Sequence, residues 1–145
     1  MTGEEARRRF AAARVARLTT VDGEGRPHLV PIVFAVDHHV VYSAVDHKPK
    51  RTTALRRLAN VAANPAVAVL VDHYDDADWS RLWWVRADGT ARVVPPGTDD
   101  ARRAVALLQA RYPDYADRPP GGPVLAIDVV RWVGWAATTP PAGSS

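Results

Sequence analysis

His28-Leu-Val-Pro-Ile-Val-Phe-Ala-Val36, then Asp37-His38, then His39-Val-Val-Tyr-Ser-Ala-Val45, reads as a strand, a tight turn and a second strand. Apolar and β-branched residues dominate both runs, and the polar pair between them is too short for anything but a hairpin. Upstream, Arg14 to Val21 is also β-like, and Asp22-Gly-Glu-Gly-Arg-Pro27 is a turn-rich connector. The three runs predict a meander. Ahead of it, Thr2 with Glu5 three residues on forms a capping box and predicts a helix over 2–13.

Downstream, residues 52–63 carry Leu55, Leu58, Ala59 and Ala62 at helical spacing, and Asn64-Pro65 ends that helix. Ala66 to Val71 is a nearly continuous apolar strand. Leu82 to Val94 is β-rich, with Asp88-Gly89 marking either a hairpin turn or a bulge. Thr98 caps a helix whose first turn holds Asp99 and Asp100, which suits the helix dipole. Ala101, Ala104, Val105 and Leu108 form its core-facing stripe. Residues 113–123 read as an irregular loop and 124–138 as the last strand. Short hairpins dominate, and the alternating strand–helix rhythm of a parallel sheet is missing. The expected fold is mainly β (α+β): a six-stranded antiparallel barrel with three short flanking helices.

At 145 residues, with 47% hydrophobic and 24% charged, the chain suits one domain over 1–139 and a flexible tail over 140–145. There is no cysteine, which excludes disulfides, thiolate-ligated metals and a thiol nucleophile. No run approaches a membrane span and no signal peptide is visible, so a cytoplasmic protein is expected. The net charge of +3 comes from 17 arginines and only two lysines, Lys48 and Lys50. The arginines are scattered and not interleaved with an aromatic platform, which argues against nucleic acid as a partner.

No dinucleotide fingerprint, Walker loop or nucleophile elbow occurs. The five histidines form no helical pair, and the acidic run Asp72, Asp75, Asp76, Asp78 reads as a solvated loop, so no metal is expected. The segment Ser43 to Leu55 is the strongest candidate site. Lys48, Lys50 and Arg51 converge there on a helix N-terminus, whose free N–H groups already favour an anion. It reads as a phosphate site or as a solvated basic turn. Pro31 inside a strand points to an open edge near Val30 to Val33, where backbone groups are free for a planar heterocycle; a blunted edge against aggregation is the other reading. Adjacent Trp83 and Trp84 must point to opposite faces of their strand, so one faces a partner, a ligand or a helix.

The ordered set Gly25-Arg-Pro-His-Leu-Val-Pro-Ile-Val-Phe34, Lys48-Pro-Lys-Arg-Thr-Thr-Ala-Leu55, Asn64-Pro-Ala-Val-Ala-Val-Leu-Val-Asp72, Trp83-Trp-Val-Arg86 and Arg131-Trp-Val-Gly-Trp135 resembles the split β-barrel flavin and deazaflavin oxidoreductases, the pyridoxamine-phosphate-oxidase-like superfamily. It is most similar to the branch assigned to coenzyme F420. The resemblance covers about residues 5–138 and implies the FMN-binding split-barrel fold and a homodimer with cofactor sites at the subunit boundary. It implies the backbone of Val30, Pro31, Ile32 and Val33 along the heterocycle, and Ser43, Lys48, Lys50, Arg51 and Thr52 around the phosphate. Arg56 and Arg57 would meet the carboxylate tail of F420. Trp79, Trp83, Trp84 and Arg86 belong to the next part of the site, and Arg131, Trp132 and Trp135 reach it from the other subunit. The run of basic residues favours F420 over FMN. The expected activity is hydride transfer between the deazaflavin and a small planar or unsaturated substrate. An FMN-dependent oxidase or reductase, or a non-catalytic flavin carrier, uses the same residues.

Overall fold

The computed structural model describes residues 1–45 and 52–138, without the side chains of residues 52–54. Lys48, Lys50, Arg51 and the tail 140–145 therefore lie outside the described residues.

Thr2 caps α1 (Gly3–Ala12), its hydroxyl accepting from the Glu5 N–H at 3.1 Å. The next hairpin, β1 (Ala16–Val21) and β2 (Pro27–Ile32), turns on Asp22, whose Oδ1 accepts from the N–H groups of Glu24 and Arg26, and on Gly25 at φ +83°. A second hairpin joins β3 (Ala35–Asp37) to β4 (Val40–Ala44) through His38 at φ +54°. Then come α2 (Thr52–Ala63), β5 (Ala66–His73), a 3-10 turn (Trp79–Arg81), β6 (Trp83–Val94), α3 (Asp99–Arg111), α4 (Pro113–Asp117) and β7 (Val124–Ala136). All pairings are antiparallel, in the order β2-β1-β5-β6-β7-β4-β3. Only Val33 and Phe34 separate β2 from β3, so one stretch of chain joins the two ends of this order, while the outer edge of β2 stays unpaired.

The architecture is the expected antiparallel split barrel, with seven strands where six were expected. The difference lies in the segment 28–36, which breaks at Val33–Phe34. There side chains hold the backbone groups that a ladder would otherwise pair. Ser43 Oγ donates to the Val33 carbonyl at 2.9 Å, the Phe34 N–H donates to Tyr112 Oη at 3.1 Å, and Tyr112 Oη donates back to the Phe34 carbonyl at 2.9 Å. The expected meander is broken for the same reason. β2 pairs with β1, and β4 pairs with β3 and β7. Part of the predicted loop 113–123 is α4, started by Pro113, whose missing N–H costs nothing in a first turn.

The barrel core holds Leu18, Val30, Ile32, Phe34, Val69, Val71, Val85, Leu125 and Ile127. α1 closes one side with Ala6 and Phe10, the Phe10 ring lying 4.9 Å from Phe34 and 5.2 Å from Trp132. α3 covers β4 and β7 with Ala101 and Ala104 against Tyr42, Val124 and Ala126. Arg92 ties them together, donating to Asp100 and to Asp128, while Tyr42 Oη donates to Asp100. The α2 face differs from expectation. Val61 and Leu58 reach the core, and Asn60 Nδ2 donates to the buried Thr20 hydroxyl at 3.0 Å. Leu55 is 67% exposed and Ala59 and Ala62 face outward, so most of the predicted stripe is uncovered by this chain.

Asp88-Gly89 is a bulge, with β6 continuous through it. Asp88 opposes Arg131 and Gly89 opposes Val129, which leaves Val130 as the extra residue, 79% exposed. The slip changes the phase of β7. Leu125, Ile127 and Val129 point inward before it, and Arg131, Val133 and Trp135 outward after it. Past the bulge, the outer face of β7 is covered neither by α3 nor by any other described element.

Candidate functional site

That uncovered face is built in cross-strand rungs. Pro31, Arg17, Leu70, Arg86 and Val133 face one another across β2, β1, β5, β6 and β7. Leu29, Thr19, Ala68, Asp88 and Arg131 form the next rung on one side. Asp72, Trp84 and Trp135 form the next on the other. Successive rungs lie ~7 Å apart, the rise of two strand residues. Over them lies a cavity of about 810 Å³, lined by Leu29, Leu70, Trp84, Trp135, Arg17 and Arg86 among others. Its lining is mostly apolar, with a few polar groups, the composition of a small-molecule site.

The aromatic end is held by ring contacts. His73 stacks on Trp83 at 6.2 Å, and the Arg9 guanidinium lies 5.5 Å from the Trp83 ring. The adjoining acidic loop is bonded to itself. Asp78 accepts from Ser80 N–H and Oγ, Asp75 from the Ala77 N–H, and Tyr74 Oη donates to Asp76. Those donors from Ser80 hold the Asp78 carboxyl below its ordinary pKa. Thr138 Oγ1 donates to the Ser80 carbonyl and the Ala137 N–H to the Leu82 carbonyl, fastening the loop to the end of β7. Among the described residues no three His, Asp or Glu are grouped to hold a metal ion. No described helix is long and apolar enough to cross a membrane.

Asp88 carries two arginines. Arg86 donates to both of its oxygens at 2.6 and 3.1 Å, and Arg131 donates to Oδ2 at 3.0 Å. The Arg86 hydrogen bonds, with those of Arg131, lower the Asp88 pKa, so it stays a carboxylate.

The residues singled out in the sequence fall in separate places. Trp84 and Trp135 are directly opposed and line the cavity, with Trp83 and Arg86. Pro31 faces outward on the same side, at the free edge of β2, whereas Val30 and Ile32 point into the core and Val33 is half-buried. Ser43 is buried with its proton committed to the Val33 carbonyl. Trp79 is 66% exposed on the 3-10 turn, outside the cavity lining, and Arg56 is exposed on α2. Arg57 is half-buried on the same helix. Trp132 packs against the core and donates to His39 Nδ1 at 3.0 Å. Thr52 begins α2, and Lys48, Lys50 and Arg51 lie outside the described residues. The sequence reading gave no site role to Arg17, Thr19, Leu29 or Leu70 and took Asp72 for part of a solvated loop, yet all five line the cavity. One signal was available: 66–71 is apolar at every position, as in strands covered on both faces.

An antiparallel barrel of this strand order, with an aromatic-lined cavity on its outer sheet, defines the split-barrel class of fold. The chain belongs to the pyridoxamine 5'-phosphate oxidase family, whose sequence profile matches residues 2–136. It is 33% identical over 86 residues to a 5a,11a-dehydrotetracycline/5a,11a-dehydrooxytetracycline reductase of Streptomyces rimosus, a match that spans 59% of this chain and 59% of that protein. Three solved structures share the fold at low identity. The conserved hypothetical protein Rv2991 of Mycobacterium tuberculosis is 21% identical, with TM-score 0.71 and 100% of this chain and 94% of that one covered. HutZ, the heme storage protein of Vibrio cholerae, is 17% identical, with TM-score 0.70 and 94% and 95% covered. A FAD-binding protein of Mesorhizobium loti is 20% identical, with TM-score 0.69 and 92% and 94% covered.

Proposed function

We propose that this protein is a coenzyme F420-dependent reductase of a planar, unsaturated compound, working as a homodimer with two cofactor sites. The observation that carries the reading is the cavity over the outer face of β1, β5 and β6, with Leu29 of β2 at one side and the Trp84–Trp135 pair at the other. At about 810 Å³ it accommodates three fused rings, and its apolar rungs suit their faces. The described residues fit the ring system. In this reading the backbone of Val30 to Val33 runs along the heterocycle. Ser43, Lys48, Lys50, Arg51 and Thr52 hold the phosphate, and Arg56 and Arg57 meet the carboxylate tail. Trp84 and Trp135 wall the ring and exclude water, and Trp79 stands at the edge of the site. When bound, the deazaflavin supplies the hydride chemistry, and the protein positions it and sets its electrostatics.

Dimerisation is supported by two apolar surfaces that the chain leaves uncovered, the outer sheet face and the Leu55–Ala59–Ala62 stripe of α2. FMN is the alternative cofactor, since it needs the same phosphate grip and ring slot.

Fluorescence titration of the purified protein with F420 and with FMN tests the assignment. Tighter binding of F420 supports it; tighter binding of FMN transfers the reading to the flavin. Lys50→Ala is expected to weaken binding roughly tenfold or more, the worth of a charge-assisted contact. An unchanged dissociation constant in that variant removes the placement of the phosphate. Sedimentation equilibrium at the mass of one chain removes the homodimer.

A further inference from the structure

We infer that Arg17 reads the charge of the flat ring system bound in this cavity and that this ring carries an anionic oxygen at the edge nearest Arg17. The inference rests on the cavity being the ligand site and adds the charge of its occupant. Two arginines line the cavity, and they differ in how their donors are used. Arg86 is bonded to both oxygens of Asp88. Arg17 has one ion pair, to Asp72, with Nη1 and Oδ1 3.8 Å apart, beyond hydrogen-bond reach. A guanidinium has five donors in a rigid fork that matches carboxylate or sulfonate oxygens. Arg17 keeps these donors available beside apolar ground, with Pro31 and Leu70 flanking it on its rung and Leu29 on the next.

Position reinforces this. Arg17 lies on the same face as Trp84, one rung along and two strands across, ~12 Å away with Leu70 between them, so a flat ring system resting on Leu70 with one end against Trp84 has its other edge toward the guanidinium. Thr19, two residues along β1, also lines the cavity and offers a hydroxyl. Asp72 is a competitor for the same guanidinium. Its carboxylate sits on the tryptophan rung, opposite Trp84. A bound anion therefore takes over a partner that Asp72 holds loosely, and the charges of Arg17 and Asp72 act on that anion with opposite sign.

The test exploits this opposition. Quenching of tryptophan fluorescence is titrated with 1,4-naphthoquinone-2-sulfonate and with the uncharged 2-methyl-1,4-naphthoquinone; the chain has no cysteine to which either would add. Arg17→Gln is expected to weaken the sulfonate about tenfold and to leave the uncharged quinone within about twofold. Asp72→Asn is expected to tighten the sulfonate about two- to threefold. Circular dichroism and melting curves establish that both variants fold. If Arg17→Gln and Asp72→Asn move sulfonate affinity in the same direction, or both probes change equally, Arg17 is only a structural partner of Asp72 and the inference is overturned. Failure of the wild-type protein to bind either probe overturns it too. Coenzyme titrations of the same preparations keep the two readings apart. Loss of F420 and FMN binding in the wild type sinks the cofactor assignment, whereas loss of charge discrimination sinks the role of Arg17.

Discussion

Replacing Gly89 by alanine tests the bulge on which the two faces of β7 depend. A Cβ at Gly89 meets the Asp128 carbonyl oxygen in hard overlap, the Asp128 carbonyl carbon at 3.0 Å and Val129 Cα at 3.1 Å. All three are backbone atoms of the neighbouring strand, so no side chain can swing aside. Relief requires β6 and β7 to part at the point where the register slips. Overpacking of this kind costs ~1–3 kcal/mol, and stretching one or two ladder bonds adds ~1 kcal/mol each, for about 3–4 kcal/mol together. With an unfolding entropy of ~2 cal/mol/K per residue, that lowers the melting temperature by about 10 °C. Thermal unfolding by circular dichroism reads it directly. Gly3→Ala is the control: nothing lies within 4 Å of its Cβ, and alanine favours the helix. A Gly89→Ala protein melting within about 3 °C of wild type would show that the strands separate freely there, and the account of the bulge would be wrong.

Other outcomes follow from particular contacts. Phe10→Ala empties a site fully enclosed by Phe34 and Trp132 and should cost ~3–5 kcal/mol in urea unfolding; a loss below ~1 kcal/mol contradicts the packing. Asn60→Ala strands the buried Thr20 hydroxyl and should cost ~1–3 kcal/mol, while the double change Thr20→Val with Asn60→Leu recovers most of it. No recovery would place the loss elsewhere than in the hydrogen bond. The two arginines hold Asp88 below its ordinary pKa, so its contribution is present above the unfolded value of ~4 and is lost as pH falls through the lower folded value. Asp88→Asn is therefore expected to be less stable than wild type at neutral pH and to converge with it toward the acid end; a gap that stays constant as the pH is lowered excludes the ionic explanation.

Local chemistry made much of the fold readable. The caps at Thr2 and Thr98 and the turn at Asp22-Gly-Glu-Gly each act within a few residues, and their elements begin and end where the sequence indicates. The break at Val33–Phe34 was not readable, because Tyr112 makes it from 78 residues away. Phe34 is as strand-like as its neighbours until that hydroxyl arrives. The face of α2 failed for a different reason. Its most regular apolar stripe exists, but the chain buries Val61 and Asn60 instead, and hydrophobic spacing says only that a surface wants covering, not by what.

The cavity was the least legible part, and the strand order explains why. β1 lies between β2 and β5, and β6 between β5 and β7, so Arg17, Leu70, Arg86 and Val133 meet although 53, 16 and 47 positions separate them in turn along the sequence. No spacing rule links them; only the register does. The tryptophans were conspicuous as residues, yet their pairing needs one further fact, the phase slip at Asp88-Gly89. Were β7 to continue in its earlier phase, Trp135 would join Ile127 on the inner face and Gly134 would turn outward. Gly134 instead packs inward, close to Val85 and Ala6, where a larger residue would meet α1. One extra residue, Val130, thus lets a single strand seal the barrel with its first half and build the wall of the cavity with its second.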